Sequence, residues 1–134
     1  MKLSIVQPQF IDFAWRDGAS CLAEALEGFS EITVDQLKMI LSRGERTLVR
    51  LDGDDKIAGW GCYRVDQLPN LRALHITDLV SHNNEYHKFF EEMKVIARAL
   101  GCSEIRCSCK PAQARLFKKT NEFESVYETL RVKL

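Results

Sequence analysis

The chain has 134 residues, of which 46% are apolar and 28% are charged, and this composition predicts one ordinary globular domain over residues 1–134. The 19 basic and 19 acidic side chains balance to zero net charge, which does not favour nucleic-acid binding. No apolar run approaches the ~20 residues that a membrane helix needs. Residues 1–8 are too short and too polar for a signal peptide, so we expect a cytoplasmic protein without membrane attachment.

The first predicted elements are a strand and two helical segments. Residues 2–6 alternate apolar and polar side chains, which is typical of a strand. Residues 10–28 carry apolar side chains at helical spacing, with Gly18 breaking or bending the helix. A second helix is predicted over 33–44, where Thr33 opens a capping box.

The middle of the chain predicts a hairpin followed by a crossover unit. Residues 46–51 and 56–65 flank an acidic turn and predict two antiparallel strands. Residues 71–80 are dense in apolar side chains, as in a central strand. An amphipathic helix near 84–100 joins this strand to another at 103–109, and such a unit predicts two parallel neighbouring strands.

The last elements complete a mixed α/β pattern. A short helix is predicted over 111–120, with Pro111 at its start, and one or two closing strands over 123–134. The order of elements predicts an α/β (α+β) fold, with a mixed central sheet and helices on both faces.

The five cysteines predict free thiols without a metal. Their odd number, with no secretion signal, favours reduced side chains in a reducing compartment: Cys21, Cys62, Cys102, Cys107 and Cys109. Cys107 and Cys109 are two residues apart, so a strand places both on one face. Their spacing lacks the two-residue spacer of zinc knuckles, and packing as small hydrophobic side chains is the favoured interpretation.

The element order, together with the stretch RLFKKTNEFESVYETLRVKL, resembles the GNAT superfamily of acetyl-CoA-dependent N-acetyltransferases. The stretch ARALGCSEIRCSC is similar to the third helix and fifth strand of that family. In overall character the chain resembles small GNAT-like proteins encoded by phages and prophages. The resemblance implies a GNAT-like fold, acetyl-CoA as cofactor and an amine acceptor that the sequence does not identify. For a phage-encoded protein the compartment would be the host cytoplasm.

The resemblance also implies where acetyl-CoA is held. In the family a glycine-rich loop between the fourth strand and the third helix meets the pyrophosphate, and the splayed strand ends hold the pantetheine arm. Here the loop has no glycine between Asp78 and Gly101, so the cofactor loop is degenerate. The cofactor-binding residues predicted on this basis come from the strand ends and the loop: Leu79, Val80, Ser81, Asn83, Asn84 and Ser108. Ser81, Asn83 or Asn84 can cap the helix and compete with a phosphate, and Glu85 adds negative charge.

Three residues are predicted to carry the chemistry. His75 has an intrinsic pKa suited to taking a proton from an ammonium group, although a structural role for this histidine is the alternative. Asp78 is a second candidate base, but a regular strand puts it on the face opposite His75 unless a bulge intervenes. The family's usual tyrosine acid is replaced by Phe117, so Tyr127 is the candidate acid, with Tyr86 as an alternative.

Two functional interpretations stay open at this point. The first is an N-acyltransferase that moves an acetyl group from acetyl-CoA to an amine. The second is a catalytically inactive GNAT-fold binding or virion-associated module of a phage, since fold alone does not settle function. A third, less favoured, is nucleic-acid binding through a basic cluster near the C-terminus, where residues 101–134 hold 7 basic and 4 acidic side chains: Arg106, Lys110, Arg115, Lys118 and Lys119.

Overall fold

The computed structural model describes residues 2–27, 31–82 and 85–134. Five strands form one sheet in the order β1-β2-β3-β4-β5: β1 (Lys2–Val6), β2 (Thr47–Asp52), β3 (Ile57–Gln67), β4 (Arg72–Ser81) and β5 (Glu104–Cys107). The α-helices are α1 (Ile11–Arg16), α2 (Ala23–Leu26), α3 (Val34–Ser42), α4 (Tyr86–Ala99) and α5 (Pro111–Thr120), with two short 3-10 helices at Pro8–Phe10 and Ala19–Leu22.

The sheet is mixed, as the sequence predicted. β1, β2, β3 and β4 pair antiparallel in chain order, whereas β5 pairs parallel to β4 after the α4 crossover. The predicted hairpin turn closes with the Gly53 N–H donating to the Lys56 carbonyl over 2.8 Å. The prediction that residues 71–80 and 103–109 form parallel neighbours joined by a helix is therefore confirmed.

Helices cover both faces of the sheet. On one face, side chains of α1 and α3 pack against Leu48, Trp60 and Val80. On the other face, Phe89 and Phe90 of α4 and Phe117 of α5 pack against Leu74 and Ile76 of β4. The two clusters bury the large apolar side chains that the periodic patterns placed inward, and burying each one contributes roughly 1.5–3 kcal/mol.

Local signals in the sequence explain where the helices begin and break. The Gly18 backbone has φ +122°, which side-chain-bearing residues rarely adopt, and the predicted helix over 10–28 breaks there. Thr33 Oγ1 accepts from the Gln36 N–H over 3.1 Å, and the Gln36 side chain accepts from the Thr33 N–H over 2.9 Å. This capping box starts α3, as predicted.

The predicted closing strands over 123–134 are wrong. Residues 122–134 contain no strand. Beyond Phe123, which packs against the core, their apolar side chains are exposed, with exposed fractions of 61% for Val126, 85% for Leu130 and 81% for Val132. A strand needs a hydrogen-bonding partner and a buried face, and β5 offers an edge of only four residues. Strand propensity without a sufficient partner edge therefore leaves this segment irregular.

No helix within the described ranges is long and apolar enough to cross a lipid bilayer.

One prediction concerns the contact between Gly61 of β3 and Phe89 of α4. A Cβ atom at Gly61 would lie 2.6 Å from Phe89 Cζ, which is closer than packed carbon atoms allow. We expect Gly61→Ala to lower the free energy of unfolding by about 1–3 kcal/mol through overpacking. In a Phe89→Leu background the same change should cost much less, because the ring atoms are gone. Urea unfolding of the four proteins measures this, and an equal cost in both backgrounds would contradict the packing described.

Candidate active site

The candidate site lies where β4 and β5 part. Their paired register ends at Ile76 and Cys107, and one further bond runs from the Ser108 N–H to the Ile76 carbonyl over 3.1 Å. Among the described residues, β4 continues to Ser81 with β3 as its only paired neighbour. The backbone of residues 77–81 is therefore unpaired toward β5, and this opening is the cleft between the two strands.

A bulge in β4 decides which side chains share a face. Cys62 pairs with Asp78 and Tyr63 pairs with Ile76, so Thr77 is the extra residue in β4. In a regular strand His75 and Asp78 would point to opposite faces, but the bulge returns Asp78 to the face that carries His75. The sequence allowed His75 and Asp78 to share a face only if a bulge lay between them, and the structure contains that bulge.

The Asp78 side chain is bound by two neighbouring side chains of the protein. Its carboxylate lies 3.2 Å from Arg46 Nη1 and accepts from Thr77 Oγ1 over 2.8 Å, and the residue is only 5% exposed. A buried carboxylate with two partners is strongly held, and removing one partner would leave a buried charge unpaired. These contacts favour a structural role for Asp78, which holds the end of β4 in place, over a role as a group that exchanges protons with a substrate.

His75 lies between polar groups from both neighbouring strands. Its Nε2 lies 2.6 Å from Ser108 Oγ, and its Nδ1 lies 3.6 Å from Asp66 Oδ2. The Asp66 carboxylate also accepts from Arg64 Nε over 2.9 Å. Arg106, which pairs with His75 across the two strands, donates from its Nε to Glu104 over 2.8 Å.

The surroundings of His75 favour its neutral form. Partial burial lowers the pKa of His75, and the positive charges of Arg64, Arg106 and Arg46 lower it further, while Asp66 acts in the opposite direction. His75 is therefore largely uncharged at neutral pH. A neutral imidazole is the form that can accept a proton, which is the property a general base needs.

Tyr127 reaches the same region from the irregular C-terminal segment. The Tyr127 side chain lies near that of Arg106. Glu104 is the main cause that raises the pKa of Arg106, and Tyr127 adds to the shift. The Tyr127 side chain is 72% exposed. By contrast, Phe117 is 2% exposed, and its ring packs edge-on against that of Phe90 with 5.0 Å between the ring centroids. Phe117 is therefore a core residue.

The predicted cofactor-binding residues differ in which of their groups, backbone or side chain, are available to a ligand in the cleft. The side chains of Leu79 and Val80 are buried on opposite faces of the sheet, so only their backbone groups face the cleft. Ser81 Oγ accepts from the Glu85 N–H over 2.9 Å, just before α4 begins. Asn83 and Asn84 lie outside the described residues. Ser108 is exposed at the mouth of the cleft, beside His75.

Two thiols occupy the opposite face of the same strand end. Cys107 and Cys109 are half-buried and pack against the α4 side of the core, in line with the packing role predicted for them. A hydrogen bond from the Cys107 thiol lowers the pKa of Cys109 to about 7, and Lys118 contributes to the same shift. Cys109 is thus more reactive than a packing role alone would indicate.

Three residues of this site were missed by sequence reasoning. Asp66 and Arg64 stand two apart near the end of β3, and their polar character at alternating positions marks a solvent-facing strand surface. That signal was available, but only the observed register of β3 against β4 shows that this surface faces His75. Arg46 was also missed, because it precedes β2 and meets Asp78 only in the folded chain.

Two shallow depressions lie elsewhere on the surface. One of about 440 Å³ lies along the outer side of α4, between His87 and Val95, and one of about 290 Å³ lies beside α3, between Glu31 and Arg43. Neither contains His75 or Ser108, so they carry no part of this site.

Several solved structures that share this fold are named as acetyltransferases. The chain superposes over its full length on all of a ribosomal-protein-alanine N-acetyltransferase from Brucella melitensis biovar Abortus, with a TM-score of 0.72 and 12% identity. A probable acetyltransferase matches all of this chain and 97% of its own, with a TM-score of 0.69 and 15% identity. An aminoglycoside acetyltransferase from an uncultured soil metagenomic sample matches 99% of this chain and 93% of its own, with a TM-score of 0.63 and 15% identity.

The chain has a GNAT-like fold. No family model and no curated protein sequence matches it. At 12–15% identity the likeness to solved structures establishes the architecture, while the chemistry has to be argued from the side chains at the cleft.

The charges around His75 generate a prediction about its titration. We expect the His75 ring to titrate below the pH at which free histidine does, because burial and nearby guanidinium groups disfavour its charged form. Asp66→Asn should move this pKa further down, since a negative charge that favours the imidazolium is lost. Arg64→Gln should move it up. NMR titration of the ring protons, assigned with His75→Gln, measures all three, and a shift of the same sign in both variants would contradict the arrangement.

Proposed function

We propose that the protein transfers an acetyl group from acetyl-CoA to an amine in the cleft between β4 and β5, with His75 as general base. The observation that carries this proposal is the pairing of a neutral His75 with Ser108, 2.6 Å apart, at the point where the two strands part. The GNAT-like fold and the acetyltransferases that share it support the reaction class.

The strand ends fit the pantetheine arm of acetyl-CoA. Backbone groups of residues 77–81 are unpaired toward β5, and an extended arm can hydrogen bond there as an added strand would. The residues that would hold it are Leu79 and Val80, through their backbones, and Ser108 at the mouth of the cleft. When bound, acetyl-CoA supplies an acyl thioester, which is the reactive group for amine acylation.

The loop before α4 fits the pyrophosphate less well. The Ser81 hydroxyl already accepts the Glu85 N–H, so one donor at the entrance of the helix is occupied. The Glu85 carboxylate brings a negative charge, which Lys88 partly offsets from 3.9 Å away. The proposal is therefore that binding is weak and depends on the strand ends rather than on the loop.

The side chains of this protein have distinct roles in the proposed reaction. His75 accepts the proton that the attacking amine loses, at Nε2, the nitrogen that faces Ser108. Tyr127 is the candidate donor of a proton to the departing thiolate, since its hydroxyl lies beside Arg106, the strand neighbour of His75. Asp78 holds the end of β4 through its ion pair with Arg46.

A second candidate function is favoured by two observations. Phe117 occupies the position where the family resemblance implies a tyrosine acid, and it is buried. The Ser81 hydroxyl engages a backbone group that could otherwise meet a phosphate. Both features fit a catalytically inactive binding module, such as one associated with a phage virion.

Calorimetric titration with acetyl-CoA tests the cofactor proposal. We expect weak but measurable binding, and Glu85→Gly should tighten it by less than about fivefold, the effect of a carboxylate at surface-like screening. Ser81→Ala, which frees the Glu85 N–H, should also change the dissociation constant little. Absence of binding to all three proteins would contradict the acetyltransferase proposal and favour the inactive module.

Release of CoA in the presence of amines tests the role of His75. The acceptors to try first are an alanine-initiated peptide and an aminoglycoside, the classes named for two structural neighbours. His75→Gln should lower amine-dependent CoA release by about 10²–10⁴-fold, the usual contribution of a general base, without weakening acetyl-CoA binding. His87→Gln, at an exposed histidine on the outer side of α4, is the matched control and should leave the rate unchanged.

A further inference from the structure

Three side chains from neighbouring strands stand in the order of a nucleophile, a base and an orienting carboxylate. Ser108 Oγ lies 2.6 Å from His75 Nε2, and His75 Nδ1 lies 3.6 Å from Asp66 Oδ2. We propose that Ser108 is a nucleophile that takes an acyl group from an activated ester or thioester, with His75 as its base. The protein would then have an acyl-hydrolase activity that proceeds through an acyl-serine.

The placement of Ser108 suits attack on a ligand in the cleft. Its backbone is fixed by the bond from its N–H to the Ile76 carbonyl, directly after β5 ends. The residue is exposed, and beyond it β4 and β5 separate. The hydroxyl is thus held by a rigid strand end and faces the opening where a substrate carbonyl can enter.

The ring of His75 is oriented for the same step. With Nε2 toward the hydroxyl, the proton of the neutral ring belongs on Nδ1, the nitrogen that faces Asp66. The 3.6 Å separation is longer than a hydrogen bond, and such contacts in ligand-free sites commonly shorten when substrate binds. Asp66 is also held by Arg64, so it acts as a positioning residue rather than as a proton acceptor.

The charged groups around His75 keep it available as a base. Arg64 and Asp66 face it from β3, Arg106 and Glu104 from β5, and Arg46 and Asp78 form an ion pair on the same face. Each guanidinium group has a carboxylate partner, so these six groups sum to zero charge. Burial and the guanidinium groups together lower the pKa of His75, which leaves the ring neutral near pH 7.

The proposed step balances without a further reactant. Ser108 Oγ forms a bond to the acyl carbon as its proton passes to His75 Nε2, and the carbon–oxygen or carbon–sulfur bond to the leaving group breaks. The leaving phenol or thiol departs with that proton, or it departs as its anion and the His75 imidazolium then gives the proton to solvent. Water then attacks the acyl-serine with His75 again accepting a proton, which releases the carboxylic acid and restores the Ser108 hydroxyl.

This activity is separable from the proposed acetyltransferase function. The acyl donor in the test is p-nitrophenyl acetate, which carries no nucleotide, so the result does not depend on whether acetyl-CoA binds. Cys109 is the competing nucleophile, because its pKa of about 7 gives it appreciable thiolate character. The experiment must therefore locate the acetyl group as well as measure its transfer.

The test is a short reaction of the full chain with p-nitrophenyl acetate, followed by intact mass measurement and peptide mapping. We expect one acetyl group on Ser108 and slow turnover to p-nitrophenol and acetate. Ser108→Ala should abolish acetylation at this position, and His75→Gln should slow it by about 10²-fold or more. Ser125→Ala, at an exposed serine of the C-terminal segment, should react as the unaltered protein does.

The pH midpoint of acetylation in Asp66→Asn distinguishes an electrostatic role of Asp66 from a merely structural contact. Loss of its charge should shift the pH midpoint of acetylation to lower pH, because Asp66 raises the pKa of His75. Acetylation found on Cys109 instead of Ser108, or an equal rate in Ser108→Ala, would overturn the proposal. So would a pH profile that is the same in Asp66→Asn and the unaltered protein.

Discussion

The short parallel pairing between β4 and β5 is the constraint on which the rest of the structure depends. β4 has ten residues and pairs with β3 along its length, whereas β5 has four and pairs with the first part of β4. The α4 crossover sets the parallel direction, and its Phe89 and Phe90 hold the helix against the sheet. Because β5 ends early, β4 has an unpaired edge, and Ser108 is held beside His75 where the strands part.

The bulge at Thr77 turns this opening into a chemically defined site. It places Asp78 on the same face as His75, and the buried ion pair with Arg46 fixes the strand end there. An unpaired charge at Asp78 would cost several kcal/mol, so the ion pair and the bulge stabilise each other. Asp78 thus supports the geometry, while the more exposed His75 and Ser108 remain free to contact a ligand.

The elements with strong local signals were predictable, and those that depend on a partner were not. Thr33 and Gln36, Gly18 and the periodicity of α4 each determine a local outcome, and the structure confirms them. The segment after Glu122 has the composition of a strand, but a strand also needs an edge to pair with, and that requirement is not local. His75 was identifiable as a candidate base from its residue type. Its contact with Ser108 joins residues 33 positions apart, and its contact with Asp66 depends on the register of β3 against β4, neither of which a pattern in the chain specifies.

The central claim is that acyl chemistry takes place in the cleft between β4 and β5. A backbone amide NMR titration with acetyl-CoA tests it most directly, because each amide reports on its own surroundings. We expect the largest chemical-shift changes at residues 77–81 and at Ser108 and Cys109, with smaller changes in the first turn of α4. Changes confined to the outer faces of α3 and α4, or none at saturating acetyl-CoA, would contradict the account.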